Sequence, residues 1–331
     1  MDYHPEKCDF CGECLAGCRH IGIDPQEAAE AVKELAAGKT PEWLKNCVTC
    51  FSCNERCKKG ANPFFLVAKR IEQAGACLPP ELTSAMHAHF SAKPGFTPSP
   101  VEGRALSLCT IYSVLPPDTF TGKLFDGMPQ LKGRGFFCHL LHMHTGGLSF
   151  SERELGPFIQ RLAATGAPEI VFAHDDCYAM VKLALEAKIP VPFKPVHILT
   201  HLRDYLAANR SGIRPLNKTV AYQRPCASRF SPEKENLVDE IFGLIGATRA
   251  IRAYDREKAL CCGENGGGAI PARAAMGKWK ERNIADAKGA GAEVMACLCP
   301  MCVGSLKEEA DKAGLPLVFL VDLVKTAIGE K

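Results

Sequence analysis

EVMACLCPMC, residues 293–302, is a short apolar run that ends in a Cys-x-x-Cys pair, Cys299 and Cys302. Three more cysteines stand upstream: Cys226 and the adjacent pair Cys261 and Cys262. The gaps are 34 residues (227 to 260) and 36 residues (263 to 298), so only a folded domain can bring these thiols together. Disulfide frameworks are typical of short secreted chains. The pattern therefore predicts a cage of five thiolates that binds metal.

The same arrangement recurs in the first half of the chain. In the first half, strand-like runs at 105–111, 135–141 and 169–173 contain or precede Cys109, Cys138 and Cys177. In the second half, runs at 219–222, 259–260 and 293–296 lead to Cys226, Cys261 and Cys302. The offsets are 117 (226 − 109), 123 (261 − 138) and 125 (302 − 177), which indicates an internal duplication. Helical patterns at 152–165, 180–188, 233–245, 273–289 and 303–313 alternate with the strands. This alternation predicts two α/β units with parallel sheets, with the ligands at strand ends.

The first copy differs from the second at two ligand positions. It reads Cys109, then Cys138-His139, then His174-x-x-Cys177, so that two of five cysteines are replaced by histidines, which also bind metals. Three outcomes are open: an iron–sulfur cluster with histidine ligands, zinc in a Cys/His shell, or no metal. We treat this set as a candidate fourth site.

Residues 1–75 contain two copies of another pattern. Its members are Cys8, Cys11, Cys14 and Cys18 in the first run, and Cys47, Cys50, Cys53 and Cys57 in the second. This spacing is the ferredoxin run for a pair of [4Fe-4S] cubanes, in which the fourth cysteine of each run binds the other cluster. We therefore expect one cubane on Cys8, Cys11, Cys14 and Cys57, and the other on Cys47, Cys50, Cys53 and Cys18. Two zinc sites are the alternative. Helical patterns at 25–38 and 63–75 predict a helical module.

Bulk properties limit the function further. The 331 residues include 18 cysteines, and 40 basic against 37 acidic side chains leave a net charge of +3. Such a balance argues against a nucleic-acid surface. The sequence has neither an apolar run long enough to span a membrane nor an export signal, so we expect a cytoplasmic protein. The predicted domains are 1–75, a proline-rich linker at 76–103, and the two copies at 104–214 and 215–331.

The set Cys226…Cys261-Cys262-Gly263…Cys299-x-x-Cys302 resembles the cysteine-rich CCG domain of heterodisulfide reductases. The order of a helical ferredoxin module and two CCG copies is similar to the D subunit of that family, which combines modules like its C and B subunits. The resemblance implies an α+β multidomain fold with Rossmann-like CCG domains. It also implies that Cys226, Cys261, Cys262, Cys299 and Cys302 hold a noncubane [4Fe-4S] cluster. The glycine-rich stretch 263–268 would allow backbone N–H groups to approach cluster sulfur, and a flexible turn is the alternative.

The resemblance further implies a redox subunit of a larger complex. Electrons would pass through the two cubanes to the noncubane cluster, and the chain would be an electron-transferring subunit. The alternatives are a disulfide or thiol reductase at the C-terminal cluster, and a redox-sensing iron–sulfur protein. No nucleotide-binding fingerprint is seen. The expected partners are therefore a flavoprotein, a hydrogenase or dehydrogenase, or a membrane cytochrome or quinone module. Oxygen-sensitive clusters suggest an anaerobic cytoplasm, with attachment to the inner membrane only through a partner.

Overall fold

The computed structural model describes residues 1–264, 272 and 275–331. The helices are α1 (Glu13–Ala16), α2 (Ala28–Ala36), α3 (Ser52–Arg56), α4 (Pro63–Ala74), α5 (Pro80–Phe90), α6 (Leu141–His144), α7 (Leu148–Ala163), α8 (Asp175–Glu186), α9 (Ile198–Ala208), α10 (Glu235–Leu244), α11 (Gly277–Gly289), α12 (Pro300–Lys312) and α13 (Leu320–Ala327). The strands are β1 (Ala105–Cys109), β2 (Gln130–Lys132), β3 (Glu169–Phe172), β4 (Lys194–His197), β5 (Lys218–Gln223), β6 (Ala247–Arg249), β7 (Val294–Cys297) and β8 (Leu317–Phe319).

The strands form two sheets of four, and every pairing within them is parallel. The orders are β2-β1-β3-β4 and β6-β5-β7-β8, which are the same topology twice. In each sheet the chain leaves the central strand, adds a neighbour on one side and then crosses to the other side. That crossing is a topological switch point, where open α/β sheets place their ligands. The mixed α/β prediction with duplicated Rossmann-like units agrees with this architecture.

Two strand predictions were wrong. Residues 135–141 do not form a strand: a 3₁₀ turn, Arg134–Phe136, leads into coil and then α6, and β2 pairs with β1 instead. Residues 259–260 follow another 3₁₀ turn, Arg256–Lys258, and are also coil. Both runs are apolar and buried. A short buried loop has the same composition as a short buried strand, so composition alone does not distinguish the two. The edge strands β2, β4, β6 and β8 were not predicted.

Residues 1–75 contain helices and no strand, and all of them are described. The two cysteine runs share one backbone shape at an offset of 39 residues (47 − 8). Phe10 and Thr49 both have positive φ, as do Gly12 and Phe51, and α1 and α3 follow at the same offset. Gly12 is required here, because a Cβ would lie 2.5 Å from the backbone nitrogen of Ala29. The duplication is therefore structural as well as sequential.

The cores join these parts. One buried cluster combines side chains of both sheets, among them Leu106 and Val171 of the first and Val220 and Tyr222 of the second. A second cluster joins Phe51 and Phe64 of the N-terminal helices to the loops of both repeats. The segment 76–103, predicted to be a linker, contains α5, which packs through Phe90 against Phe137. In the part of the chain that the structure describes, no helix is long and apolar enough to cross a bilayer.

Candidate functional site

The C-terminal cysteines converge at the carboxyl ends of β5 and β7. Cys226 begins a 3₁₀ turn just beyond β5, and Cys299 is the N-cap of α12, which follows β7. Cys302 lies in the first turn of α12. The pair Cys261 and Cys262 arrives from the loop after β6. Parallel strands end at one sheet edge, so these distant positions meet.

Contacts link all five thiols in a row. The Sγ atoms of Cys226 and Cys261 are 3.7 Å apart, and Cys262 contacts both Cys261 and Cys302. Cys302 also contacts Cys299. Hydrogen bonds from Cys261 and Cys302 lower the pKa of the Cys262 thiol to about 6, against the effect of burial. The donor set therefore fits an iron–sulfur group, because five adjacent thiols exceed the four ligands of one zinc ion.

Backbone support for this cage is partly described. The N–H of Gly263 lies 3.4 Å from the Sγ of Cys261, as expected for a donor to sulfur. Gly263 has a φ of +86°, which other residues rarely adopt. The remaining members of the predicted glycine-rich stretch, residues 265–268, lie outside the described residues, as does the start of the predicted helix at 273. Cys297 is buried in β7 and belongs to no ligand set.

The first repeat brings only part of its predicted set together. Cys109, Cys138 and Cys177 are buried and in mutual hydrogen-bond contact. His139 turns away from them: its Nδ1 lies 3.3 Å from Nε2 of His142, and its Nε2 lies 3.6 Å from Oε2 of Glu154.

His174 crosses to the other repeat. Its Nε2 lies 3.4 Å from the Sγ of Cys299, and Asp176 stands 3.8 Å from its Nδ1. Burial alone would lower its pKa, but Asp176 and Cys299 together raise the pKa of His174 to about 10. His174 is thus placed at the second cysteine set, and the three thiols of the first repeat stand without either histidine.

Both repeats face one cavity of about 390 Å³. Its wall includes Cys109 and Cys138 from one side and Cys226, Cys262, Cys299 and Cys302 from the other. The apolar part of the wall comes from Phe90, Ile111, Val114, Phe137, Leu141 and Met301, and the polar part includes Thr110, Ser113, His174, Asp176 and Glu264. A cavity of this size, apolar with a few polar groups, is typical of a small-molecule site.

The N-terminal cysteines surround two smaller cavities. Cys8, Cys11, Cys14 and Cys57 line one of about 110 Å³. Cys18, Cys47, Cys50 and Cys53 line the other, of about 30 Å³, and Cys14 touches both. The fourth cysteine of each run thus faces the other run's cavity. Burial raises the pKa of Cys14 to about 12 and that of Cys47 and Cys53 well above the usual value. The donor sets fit two cubanes.

Arg229 joins the N-terminal module to the C-terminal cage. Its guanidinium is buried and donates 3.2 Å to the carbonyl of Cys50 and 2.7 Å to that of Ala259. Glu55 lies 3.5 Å from its Nε and also pairs with the buried Arg224. The fixed charge acts on Cys50, Cys226 and Cys261 alike. The sequence analysis missed Arg229, although its position three residues after the predicted ligand Cys226 could have indicated a role beside the cage.

Comparisons with known proteins agree with this geometry. A family model described as "Cysteine-rich domain", CCG, matches residues 220–307. The chain is 27% identical to the D subunit of the dihydromethanophenazine:CoB–CoM heterodisulfide reductase of Methanosarcina barkeri, over 52% of this chain and 43% of that protein. It is 24% identical to the B subunit of the fumarate reductase (CoM/CoB) of Methanothermobacter marburgensis, over 98% of this chain and 73% of that one.

A solved structure has the same fold. It is the crystal structure of a hypothetical protein from Helicobacter pylori, with a TM-score of 0.60 and 13% identity, covering 93% of this chain and 65% of that one. The fold and the cysteine sets define a protein with a duplicated, cysteine-rich α/β unit. Residues 220–307 match the CCG domain, and the chain is similar to the heterodisulfide reductase D subunit; these likenesses support the class of iron–sulfur oxidoreductase subunits. The chain spans less than half the length of the D-subunit relative.

Proposed function

We propose that the protein is the electron-transfer subunit of a larger heterodisulfide-reductase-like complex. Electrons enter at the N-terminal module, pass two cubane [4Fe-4S] clusters and reach a noncubane [4Fe-4S] cluster in the C-terminal repeat. The observation that carries the proposal is the order of the cysteine sets. Set 1 (Cys8, Cys11, Cys14, Cys57) adjoins set 2 (Cys18, Cys47, Cys50, Cys53), and set 2 adjoins the C-terminal cage.

Each junction in this row has a residue that touches both sides. Cys14 and Arg56 line the cavities of set 1 and set 2. Arg229 contacts the carbonyl of Cys50 in set 2 and shares a 3₁₀ turn with Cys226 of the cage. Iron–sulfur clusters supply one-electron carriers, and carriers in a row suit conduction. A sensing role would need only one such centre, so conduction is the better interpretation.

Backbone and side-chain groups of the protein would hold the clusters and adjust their reduction potentials. Backbone donors reach sulfur at Thr49 to Cys47 and at Ala61 to Cys57, both at 3.4 Å. Hydrogen bonds to sulfur and nearby positive charge raise cluster potentials. Arg229 therefore favours electron arrival on both sides of the second junction.

A second function is favoured by the shared cavity. Its volume of about 390 Å³ suits a small thiol or disulfide, and thiols from both repeats face it. Reductive cleavage of a disulfide consumes two electrons and two protons and gives two thiols. The partner would supply the electrons through the N-terminal module, and solvent entering the cavity would supply the protons. One relative is itself named as part of a heterodisulfide reductase, which supports this chemistry.

The remaining parts of the proposal concern organisation. We assign residues 1–75 to the ferredoxin module, 76–103 to an arm, and 104–214 and 215–331 to the two CCG units. The donor or acceptor resides on another subunit, namely a flavoprotein, a dehydrogenase or hydrogenase, or a membrane module. The complex lies in the cytoplasm or on the inner membrane through that partner.

The test is a metal count on anaerobically purified protein. We expect about twelve iron atoms and matching sulfide, from three clusters. EPR after dithionite reduction reports the cubanes, and EPR after oxidation with a thiol present reports the C-terminal centre. About eight irons without a thiol-dependent signal would remove the noncubane cluster from the proposal. If the protein shows the thiol-dependent EPR signal but does not reduce disulfides, electron transfer remains as its sole proposed function.

A further inference from the structure

A group of metal-binding side chains lies outside the cysteine cavities. It combines His87 from α5, His139 from the loop before α6 and Glu154 from α7. The Nε2 of His87 is 3.0 Å from Oε1 of Glu154, and the Nε2 of His139 is 3.6 Å from Oε2. One ligand atom from each residue lies within 4.8 Å of the other two.

These separations suit a small divalent cation. Zinc binds imidazole nitrogen and carboxylate oxygen at about 2.0–2.2 Å. Tetrahedral ligands at that bond length stand about 3.3 Å apart, and the separations of 3.0 and 3.6 Å bracket this value. The ligand atoms of the third pair, His87 and His139, lie within 4.8 Å of each other.

The hydrogen bonding of His139 leaves one nitrogen unexplained. The ring is fully buried, and a neutral imidazole has one donor nitrogen and one acceptor nitrogen. When Nδ1 donates to Nε2 of His142 at 3.3 Å, the Nε2 of His139 presents a lone pair to the Glu154 carboxylate. Two acceptors then face each other, and that Nε2 has no hydrogen-bond partner among the described residues. A cation between them satisfies both.

The charged side chains around these three residues are compatible with a bound cation. Arg161 stands 3.6 Å from Oε2 of Glu154. Arg153 approaches His87 at 3.5 Å, but it is exposed and its guanidinium stacks on the ring of Phe150. His142 holds the orientation of His139 without contributing an atom to the site. This is the usual arrangement behind a ligating histidine.

We propose that His87, His139 and Glu154 bind one divalent first-row cation, zinc or ferrous iron, with water as a further ligand. The site contains no sulfur and is separate from Cys109, Cys138 and Cys177. Because His87 belongs to α5, the ion fastens the arm at 76–103 to α7 of the first repeat. The proposal does not depend on the electron-transfer function.

The experiment uses the anaerobic holoprotein, equilibrated with buffered zinc. We expect one zinc per chain, with a zinc K-edge absorption spectrum that fits only nitrogen and oxygen neighbours. Glu154→Gln preserves shape and should weaken zinc binding at least about 100-fold, and His87→Ala should do the same. His142→Ala should weaken it about 10- to 100-fold, because it only orients His139. Displacement of the bound zinc by added ferrous iron would also uphold the site, because it places iron on the same ligands.

The matched control is His89→Ala, on the same helix, whose ring contacts Arg134 instead. It should retain zinc, and all variants should retain wild-type iron content, which shows that they fold. Sulfur neighbours at the zinc edge, equal zinc in wild type and Glu154→Gln, or no bound zinc at all would each overturn the proposal.

Discussion

The two repeats share a sheet order but differ at the ends of their central strands. In the second repeat all five predicted metal-binding positions are cysteines, and in the first repeat two of the corresponding positions are histidines. By the repeat offsets, His139 corresponds to Cys262 (139 + 123) and His174 to Cys299 (174 + 125). The structure sends the two histidines in different directions, one towards Glu154 and one to Cys299 itself.

The comparison teaches that a duplicated backbone does not guarantee a duplicated site. An imidazole is bulkier than a thiol and needs hydrogen-bond partners when buried. His139 finds them in His142 and Glu154, and His174 finds them in Asp176 and Cys299. Cys109 and Cys138 of the first repeat therefore line the cavity that the cysteines of the second repeat also face, without either histidine beside them.

The largest expected effect comes from removing a thiol in the complete repeat. Cys262→Ser should abolish the thiol-dependent EPR signal and reduce the iron content by about four atoms, because one ligand of five is lost. The corresponding change in the first repeat, His139→Ala, should leave the EPR signal and the iron of the clusters unchanged, and removes at most the single cation proposed for His87, His139 and Glu154. Iron analysis and EPR on the two variants side by side measure the difference. Equal iron loss in both would mean that the repeats hold equivalent clusters.

Much of this architecture could be predicted from the sequence. The positions of the predicted ligands Cys226, Cys299 and Cys302 at strand ends could be predicted, because the apolar runs before them are long enough to identify as strands. Residues 135–141 were misassigned, because burial of Phe136 and Phe137 in a loop gives the same pattern as a strand. The directions of His139 and His174 could not be predicted, since they depend on partners more than 10 and more than 100 residues away, Glu154 and Cys299.

The next largest effect concerns a buried ion pair that joins the two repeats. Asp175 of α8 is buried and accepts from Lys234 of the second repeat at 2.6 Å and faces His197 at 3.2 Å. Asp175→Asn should lower the free energy of unfolding by about 3–5 kcal/mol, because it leaves the Lys234 ammonium buried and unpaired. Urea denaturation at pH 7 measures this. Lys307→Ala, which breaks an exposed pair with Asp311, should cost less than about 0.5 kcal/mol.

The same pair makes a pH prediction. Although burial opposes it, Lys234 and His197 hold the pKa of Asp175 far below its usual value. A carboxyl whose pKa is depressed on folding stabilises the protein above its unfolded pKa of about 3.9 and loses that contribution as pH falls. The difference between wild type and Asp175→Asn should be constant from about pH 8 to 5 and shrink below about pH 4. A difference that grew on acidification would contradict the ion pair.

A smaller effect is expected at the junction between set 2 and the cage. Arg229→Met removes a buried cation and the donors to two carbonyls, which should cost about 2–4 kcal/mol. The potentials of the neighbouring centres should fall by tens of mV, because a positive charge favours the reduced state. Arg252→Met is the matched control. It is also buried and bonds the carbonyl of Tyr222, but it touches no predicted ligand, so it should lower stability without shifting either potential.

The smallest expected effect tests the comparison most directly, because it shows whether His174 interacts with the cysteines of the first repeat or of the second. If it donates to Cys299, His174→Gln should lower only the potential of the C-terminal centre, by on the order of tens of mV, since hydrogen bonds to sulfur raise potentials. Metal content should stay at the wild-type value. If instead the variant loses iron or zinc while the C-terminal signal is unchanged, His174 is a ligand with Cys109, Cys138 and Cys177. Redox titration followed by EPR, with metal analysis of the same sample, separates the two results.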